Sequence, residues 1–576
     1  MSSEEKKYKF RFDKDLSQLF IVIGIILLIN IIGQYLYTYV DFTDEKRYTL
    51  TEPTIKLVEN QKDVIFVKIL LDGDFPAGFK RLQQAVLNTL DQFKSINPKI
   101  DYILENPTEG SQEFVNANIE KLRKEGISPV SLFIGDGESK TTRKIYPYAI
   151  LNYGKRVYVV NLLEPNAQGI SEEEALNNSI ALLEYKFANA IQKLNAERKG
   201  NIVFIGDKGG IDDFHISSLY KQLNQYYYVA KTNIDSTYRI VKDIDLVIIA
   251  KPKKQFSKKN QFVLDQYLMK GGKIIWLIDK IDADLDSINK YKIYTPKLYD
   301  LGLDDLFFKY GIRINNDLIQ DLQCTRIPQV VGFEGDMPQI QKFPWYYDLL
   351  VNSVSDHPIA KGLSDISMSF VNTIDTIKTE KGIKKTILLT SSKRSKYQMY
   401  PMRLTYQILQ YNPQVELFNK EYLPIAVLVE GDFTSFFKNR LTTETEAMLN
   451  KIGETFLEKS LEPGKMIFVG DGDFIMNQFN SRTNEFSPIG FNKWENYKFS
   501  GNEDFILNSV EYMLDDAGIL SARSKRVKLR LLDKAWLNNN KFFIQLVNIL
   551  GPLVLLAGFG IMFNNLRKRK YIIKTK

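Results

Sequence analysis

The chain contains one cysteine, Cys324, and two histidines, His215 and His357, among its 576 residues. A single cysteine excludes an intrachain disulfide, a dithiol redox pair and a zinc site made of several thiolates. Neither histidine stands in a metal-binding spacing such as His-Glu-x-x-His, so each is better explained as a local hydrogen-bonding residue than as a catalytic base. We therefore expect no metal and no cofactor.

Nucleotide-binding motifs are absent as well. No Gly-x-x-x-x-Gly-Lys-Ser/Thr P-loop occurs in the chain, so ATP hydrolysis would have to come from another subunit. The turn Gly206–Gly210 joins a predicted strand to a predicted helix and could cradle a phosphate at the helix N-terminus. It lacks the Gly-x-Gly-x-x-Gly spacing, and a tight turn explains it better.

Nucleophilic catalysis finds little support. Cys324 lies outside any strand-to-helix elbow, and Ser391 follows a predicted strand without the flanking glycines that expose a nucleophile. The sequence therefore predicts a protein that is not an enzyme. The alternative, a membrane-tethered envelope hydrolase or amidotransferase-like enzyme, would require particular side chains to converge: Asp471 or Asp473 with His357 or Ser391.

Asp471 and Asp473 flank a glycine directly after the apolar run Met466–Val469, which we interpret as a strand. At the carboxyl edge of a parallel sheet, two carboxylates could bind a cation or a hydroxyl-rich ligand. No third acidic residue lies nearby in sequence, so a turn with Asx-type hydrogen bonds is the better explanation. Both residues remain candidates for a ligand-binding edge.

The net charge of +8 is concentrated beside two apolar runs. The tail 564–576 carries six Lys or Arg and no acid, and Ser521–Lys534 carries six with only Asp533 against them. Positive charge in such places is typical of contact with anionic lipid headgroups. We expect the lipid bilayer as a partner, whereas nucleic acid has little support.

The apolar runs themselves, Leu19–Tyr37 and Phe542–Phe563, contain no charged residue. At about 1.5 Å per helical residue each is long enough to cross most or all of a hydrocarbon core about 30 Å thick. Basic residues on both outer flanks favour cytoplasmic termini and an exported body, in the inner membrane of a bacterium. The basic residues just before the second run count against this orientation, but a long translocated domain weakens the rule there.

Polar and small residues within the runs predict helix packing. Asn30 and Gln34 share a helix face, and Asn548, Gly551 and Pro552 lie in the first half of the last run. Amides in lipid seek partners, and glycine lets backbones approach closely. The two spans could pack on each other or on a separate membrane subunit, and the sequence favours neither.

Between the spans the chain is α/β. From 38 to 198 the order strand, helix, strand, helix, strand, strand, helix suits a thioredoxin-like domain, although Cys-x-x-Cys is missing. A long helix with a Ser171–Glu174 capping box closes it. From 199 to 520 continuous apolar strands alternate with amphipathic helices, which predicts a larger Rossmann-like parallel-sheet domain.

We divide the chain accordingly. The segments are a cytoplasmic tail 1–18, a span 19–37, the thioredoxin-like domain 38–198, the larger domain 199–520, a basic juxtamembrane segment 521–541, a span 542–563 and a cytoplasmic tail 564–576. Within the larger domain, residues of about 280–385 show no clear pattern. We interpret them as an irregular insertion.

Several strings resemble GldG, the auxiliary subunit family of gliding-motility ABC transporters in Bacteroidetes. They are Leu71–Leu82, Leu183–Phe187, Leu264–Tyr267 with Gly271-Gly272, Ala426–Gly431, Asp504–Asn508, Met513–Asp516 and Leu529–Asp533. These strings are distributed over nearly the full length of the chain. The resemblance implies a two-span topology with a periplasmic body, a large domain similar to an amidotransferase-type sheet without its nucleophile, and no catalytic residues.

The resemblance also implies the partners, an ABC permease and a cytoplasmic ATPase, with periplasmic envelope components as further candidates. ATP-driven movement of the permease would reach the body through the juxtamembrane segment. The candidate coupling residues there are Arg523, Arg526, Arg530 and Asp533. A passive structural tether that needs no transporter is the remaining alternative.

Overall fold

The computed structural model describes residues 20–28, 49–124, 127–134, 141–164, 172–196, 200–237, 239–240, 243–351, 353, 355–379, 382–480, 485–515, 518–519, 522, 536 and 539–571. The chain divides into two units, residues 1–526 and 527–576. The first unit holds the folded α/β body. In the second, the described residues include one long helix, Lys541–Tyr571.

The elements follow one another in this order. Up to residue 200 they are α1 (Glu52–Glu59), β1 (Ile65–Ile69), α2 (Ala77–Ile96), β2 (Ile100–Leu104), α3 (Gln112–Lys124), β3 (Val130–Ile134), β4 (Thr141–Ile145), β5 (Tyr148–Tyr153), β6 (Arg156–Asn161), α4 (Glu172–Ala181) and α5 (Leu183–Asn195). Up to residue 321 they are β7 (Asn201–Ile205), α6 (Ser217–Leu223), β8 (Tyr228–Thr232), β9 (Leu246–Ala250), α7 (Lys258–Met269), β10 (Lys273–Leu277), α8 (Leu285–Tyr291), β11 (Ile293–Tyr294), α9 (Asp304–Lys309), β12 (Ile312–Ile314) and β13 (Asp317–Asp321).

The remaining elements complete the body and the second unit. They are β14 (Cys324–Glu334), β15 (Met337–Val351), β16 (Ile366–Ser369), β17 (Ile374–Thr376), β18 (Ile383–Thr390), β19 (Ser395–Met399), β20 (Leu404–Thr405), β21 (Pro424–Gly431), α10 (Thr443–Ile452), β22 (Gly464–Val469), β23 (Phe479–Asn480), β24 (Glu485–Phe486), β25 (Phe491–Asn492), β26 (Tyr497–Lys498), α11 (Ser500–Leu514) and α12 (Lys541–Tyr571).

A four-stranded sheet of order β2-β1-β5-β6 organises the N-terminal part of the body. Strand β1 pairs parallel to β2 and antiparallel to β5. Helix α2 covers the sheet with an apolar stripe at helical spacing, because Phe79, Leu82, Val86, Leu90 and Phe93 are all buried. The alternation from β1 to α3 agrees with the sequence pattern, but four strands, β3 to β6, follow where the predicted order has two. The thioredoxin-like assignment stays a prediction.

Two predicted elements of this part are divided in the structure. The sequence pattern predicts one strand over Lys144–Tyr153. The structure has two strands there, β4 and β5, because Pro147 lies between them and cannot donate to a ladder. The predicted long helix is α4 and α5, interrupted at Leu182. Near the interruption the Ser179 hydroxyl donates to the Ala175 carbonyl, a bond that bends helices. The predicted capping residue Ser171 lies outside the described residues.

A seven-stranded sheet of order β18-β21-β22-β10-β9-β7-β8 organises the rest of the body. Strands β8, β7, β9, β10 and β22 are parallel, as the apolar pattern predicts. Strand β21 runs antiparallel to β22, and β18 antiparallel to β21, so the sheet is mixed and not wholly parallel. An apolar strand has the same pattern in either direction, which is why the sequence did not reveal the reversal.

Both faces of the large sheet are covered. One core cluster packs α6 and α11 on the sheet, and another packs α7 and α9 on the opposite face. The second cluster centres on Trp276, whose ring contacts those of Phe256, Phe307 and Phe468. Burial on two faces explains why β9 is buried at every position.

The region predicted as an irregular insertion, about 280–385, contains regular structure. Its strands form short antiparallel ladders: β12 with β17, and β15 with β14 on one side and β16 on the other. Two ladders have partners beyond residue 385, β13 with β19 and β11 with β20. The predicted irregularity is wrong, because ladders between distant short strands leave no local periodicity in the sequence. This layer lies over the carboxyl edge of the large sheet. There the side-chain oxygen of Asn372 accepts a hydrogen bond from the backbone N–H of Lys280, and the backbone N–H of Asn372 donates to the carbonyl oxygen of Gly470.

A buried ion pair joins α5 to α11. The Lys193 ammonium contacts the Glu511 carboxylate, and their side chains are only 13% and 16% exposed. The carboxylate also accepts hydrogen bonds from the Tyr185 hydroxyl and, at 3.2 Å, from Nδ2 of Asn189. Burial opposes both charges, but their mutual attraction lowers the pKa of Glu511 and raises that of Lys193. The N-terminal part is thus fastened to the large sheet by a desolvated charge pair.

The two ends of the body meet on the same helix. One buried cluster contains Tyr185 and Ala188 of α5 with Ile519 and Ala522, which follow α11. Leu57 of α1 packs against this cluster, and a Cβ placed on Gly518 would lie 3.8 Å from Cγ of Pro53. The segment that leads into the body and the segment that leaves it therefore lie side by side.

The second unit contains α12, in which the most apolar 18-residue stretch of Lys541–Arg569 has a mean hydropathy of 2.2 and no buried residue. Within the described residues it is the one helix long and apolar enough to cross a membrane. Asn548, Gly551 and Pro552 lie three and four residues apart, hence on one face of the helix. Of the first predicted span only residues 20–28 are described; they are helical and exposed. A membrane crossing by residues 19–37 stays a prediction.

Candidate functional site

The carboxyl ends of β7, β9, β10 and β22 meet at one edge of the large sheet. The chain passes from β7 to β8 on one side and then to β9 on the other, so the strand order reverses beside β7. Ligands of open α/β sheets bind outside the carboxyl ends of strands near such a reversal. Side chains that follow these strands are therefore the candidates for a site.

Lys251, directly after β9, is the central cation of this edge. Its Nζ lies 3.0 Å from Oδ2 of Asp279, which follows β10, and also contacts the carboxylate of Asp473. Burial disfavours the ammonium, but the two carboxylates hold the pKa of Lys251 above its ordinary value. Burial raises the pKa of Asp279, against the opposing attraction of Lys251. Three strand ends are thereby joined by one lysine.

The two predicted carboxylates have different roles. Asp471 is fully buried and accepts backbone hydrogen bonds from Asp473 at 2.6 Å, Phe474 at 3.2 Å and Ser369 at 3.0 Å. This is an Asx-type turn that also fastens β16 to the sheet edge. Asp473 is partly exposed and faces outward towards Lys251. Only Asp473 of the pair is therefore available to a ligand.

A cavity of about 360 Å³ opens beside Asp473 and Lys251. Acidic, amide, hydroxyl and aromatic side chains and one further lysine share its wall; they are Asp284, Asp286, Asp348, Ser367, Ser369, Gln478, Asn492, Asn502, Phe370, Phe491, Trp494 and Lys493. Its size is in the range of small-molecule sites in proteins, about 300–1,000 Å³. The cavity is the candidate site of this chain.

Sequence reasoning missed Asp348, the most buried carboxylate of the cavity wall. It lies on β15 within the run Trp345-Tyr346-Tyr347-Asp348-Leu349-Leu350, where every other side chain is apolar or aromatic. The structure buries that entire stretch. A single acidic residue inside a buried strand is uncommon unless it is paired or has a function. This pattern is the feature of the sequence that could have identified Asp348.

The glycine turn after β7 is a packed turn. A Cβ on Gly210 would lie 2.3 Å from the Ala250 carbonyl oxygen, so only glycine fits against the end of β9. The Lys208 carbonyl accepts backbone hydrogen bonds from Lys253 and Lys254 at 2.8 and 2.9 Å. The turn fastens β7 to β9, in agreement with the tight-turn interpretation.

The residues required by the enzyme alternative lie apart. His357 packs on the ring of Tyr512, with ring centroids 4.8 Å apart, and burial lowers its pKa to about 4. The Ser391 hydroxyl bonds to that of Ser395 at 2.7 Å. Asp473 bonds to Lys251. In the described residues no hydrogen bond or ion pair joins His357 or Ser391 to Asp473, so that constellation is not formed.

The remaining predicted residues fall outside the described part of the chain. They are Asn30 and Gln34 of the first span and Arg523, Arg526, Arg530 and Asp533 of the juxtamembrane segment. His215 is described, and its Nδ1 lies 2.8 Å from an oxygen of Asp212, three residues earlier. That contact is local, as expected for a histidine outside a catalytic site.

Residues 199–509 match the family described as an ABC-type uncharacterized transport system, the auxiliary family of ABC transporters. The match contains the large sheet, the cavity and α11 up to residue 509. It covers more than half of the chain.

The chain belongs to this family.

Three further comparisons concern this family member. Residues 44–152 match a domain of unknown function, DUF7088, and this range contains β1, β2 and all but the last residue of β5. The solved structure called the mmIFT52 N-terminal domain is 14% identical, covers 55% of this chain and 97% of its own, and has a TM-score of 0.30, too low to carry an argument. No curated protein matches the chain.

Cys324 of this transport-family chain is expected to be nearly inert towards thiol reagents. Burial, assisted by the nearby carboxylates of Asp348 and Asp321, raises the pKa of its thiol to about 12. At pH 8 the reactive thiolate should therefore be about 10³-fold scarcer than in a free cysteine. Labelling with Ellman's reagent, before and after unfolding in guanidinium chloride, measures this. Rapid stoichiometric labelling of the folded chain would contradict it.

Proposed function

We propose that the chain is a non-enzymatic, membrane-anchored auxiliary subunit of an ABC transporter linked to gliding motility. The observation that carries the proposal is the family match over residues 199–509, together with the unburied apolar helix at Lys541–Arg569. The helix supplies an anchor, and the absence of a P-loop from the sequence assigns ATP hydrolysis to a separate ATPase. The link to gliding is supported by the GldG-like strings.

The proposed topology has two spans in the inner membrane, both termini in the cytoplasm and the body in the periplasm. The adjacent position of Pro53 and Gly518 supports it, since a body whose two ends emerge side by side suits two neighbouring spans. The body would contact envelope components or substrate through the cavity at the carboxyl edge. Movement of the permease would reach the body through the segments that meet on α5.

The face of α12 that carries Asn548, Gly551 and Pro552 is proposed to pack on the permease. Polar and small residues on one face favour close helix packing in lipid, where apolar residues have no preference for protein over lipid tails. Replacing all three with leucine should therefore weaken assembly without preventing membrane insertion. The matched control replaces Leu546, Leu550 and Leu553, on the opposite face, with valine.

Affinity purification in mild detergent tests the proposal. The native chain and the control are expected to recover a permease and an ATPase, and the triple leucine variant is expected to recover several-fold less of both. Recovery of the native chain alone would contradict the transporter role. Equal recovery by both variants would show that α12 is only an anchor. Loss of colony spreading on deletion of the chain tests the link to gliding.

A further inference from the structure

Among the residues that the structure describes, the buried carboxylate of Asp348 has only hydroxyl groups as hydrogen-bond partners. Its oxygens accept hydrogen bonds from Ser369 Oγ at 2.9 Å, Ser367 Oγ at 3.2 Å and Thr325 Oγ1. These three donors come from β14 and β16, the strands that pair with β15 on either side. An ionised carboxylate has about four lone-pair directions, so at least one is left for a further donor.

The described residues supply no cation to Asp348 and form no ion pair with it. The charged groups around it are mainly acidic. Glu495, which is itself paired with Lys342 at 3.2 Å, raises its pKa, and Asp471 accepts from the backbone N–H of Ser369, whose hydroxyl binds Asp348. Asp284, Asp286 and Asp473 line the same cavity. Of the two lysines on the wall, Lys251 is held by Asp279 and Asp473, and Lys493 lies over the Trp494 ring at 4.5 Å. A buried carboxylate without a counter-ion is costly unless it is protonated or receives a cation from a ligand.

The cavity that Asp348 lines also offers an apolar wall. Phe370, Phe491 and Trp494 contribute rings to it, and Ala283, Leu285 and Met476 contribute aliphatic surface. Such a wall suits a ring or a short apolar body, while the electronegative ring faces also attract a cation. An anionic ligand would meet four carboxylates in this cavity, and a neutral one would leave Asp348 without a counter-ion.

We propose that the cavity binds a small molecule with a protonated amine on an apolar or ring-bearing body, and that Asp348 is the counter-ion of the amine. The three hydroxyl groups orient the carboxylate, and the remaining lone pair accepts from the ammonium. The acidic rim attracts the cation, and the aromatic wall receives the body. The proposal assigns a class of ligand to the cavity. It therefore rests on the proposed function, in which the body contacts substrate or envelope components through this cavity.

The proposal has a definite pH dependence. Burial raises the pKa of Asp348 despite its hydroxyl donors, so the empty site holds a proton at a higher pH than an ordinary aspartate. A bound ammonium favours the ionised form, and binding therefore releases a proton. Affinity falls as the pH falls through this raised pKa, because protons then compete with the amine.

Isothermal titration of the purified full-length chain in detergent tests the proposal. The probes are 2-phenylethylamine and 2-phenylethanol, which share a body and differ in the ammonium group. The amine is expected to bind at least about tenfold more tightly than the alcohol, because only the amine can form a buried ion pair with Asp348. Titrations in two buffers of different ionisation enthalpy are expected to show proton release that grows as the pH is lowered towards the raised pKa of Asp348.

Asp348→Asn is expected to weaken binding of the amine at least tenfold and to abolish proton release. The matched control is Asp305→Asn, an exposed acid on α9 outside the cavity lining, with less than a threefold effect expected. Thermal unfolding of both variants checks that they fold. Equal binding of amine and alcohol, undiminished amine binding by Asp348→Asn, or no amine binding at 10 mM would overturn the proposal. These titrations use the chain alone. A negative result therefore says nothing about recovery of the chain with a permease and an ATPase, which tests the proposed function separately.

Discussion

Replacing Glu511 with alanine is expected to lower the free energy of unfolding of the body by about 3–5 kcal/mol, because it leaves the buried Lys193 ammonium without its partner. The side chain of Lys193 is only 13% exposed, and Glu511 is its one ion-pair partner among the described residues. The variant also loses the acceptor of Tyr185 and Asn189. Chemical denaturation of the full-length protein, followed by tryptophan fluorescence, measures the change.

The matched control is an exposed ion pair. Nζ of Lys94 lies 2.8 Å from Oδ1 of Asp101, with both side chains about half exposed, so Asp101→Ala should leave unfolding unchanged. Replacing Lys193 with Met and Glu511 with Leu together should cost much less than Glu511→Ala, since no unpaired charge remains. If Glu511→Ala unfolds like the native chain, the pair does not fasten α5 to α11.

The Lys193–Glu511 pair also predicts how the stability of the body changes at acidic pH. The folded-state pKa of Glu511 lies below its ordinary value of 4.5, because Lys193 stabilises the carboxylate. Its contribution to stability is therefore complete at neutral pH and is lost only as the pH falls below about 4.5 through the lowered pKa. The stability difference between the native chain and the Lys193→Met/Glu511→Leu variant should shrink in that range. A difference independent of pH between 7 and 3 would contradict this.

Replacing Asp471 with alanine is expected to cost about 3 kcal/mol or more, since three backbone N–H groups, one of them buried, lose their acceptor. These are the N–H groups of Asp473, Phe474 and Ser369, at the point where β16 meets the sheet edge. Asp471→Asn keeps one side-chain oxygen and should cost clearly less. Denaturant midpoints of the two variants measure the difference.

Asp473→Ala is the control for Asp471→Ala. Asp473 is partly exposed, and its loss leaves Lys251 paired with Asp279, so a smaller loss of stability is expected. If Asp473→Ala costs as much as Asp471→Ala, the assignment of Asp471 to the turn and Asp473 to the cavity is wrong. The order of the two effects therefore tests how the sheet edge is built.

Much of the fold could be predicted from local patterns. Strands β7, β9 and β10 stand where short apolar runs predict them, because burial on both faces makes such strands continuously apolar. The stripe of α2 is likewise visible at helical spacing. The direction of β21 and the ladders of residues 280–385 could not be predicted, because pairing between distant strands leaves no periodicity in either strand alone.

The candidate site likewise contains residues that could be predicted from local sequence and residues that could not. Asp473 was singled out because it follows a buried strand, whereas Asp348 was missed because it lies inside one. Lys251 had no motif around it, yet it joins Asp279 and Asp473 across three strand ends. Its importance depends on strand order alone.

By itself the sequence determined the apolar segment Phe542–Phe563, the absence of a P-loop, the alternation of strands and helices and the strings that resemble a transporter family. These features are local, since hydrophobic length, motif spacing and helical period are properties of consecutive residues. Only the tertiary structure decided that Asp471 faces inward, that Asp348 lines a cavity without a counter-ion, and that Lys193 meets Glu511. These residues are far apart in sequence, and long-range topology alone brings them together, where burial turns ordinary charges into specific interactions.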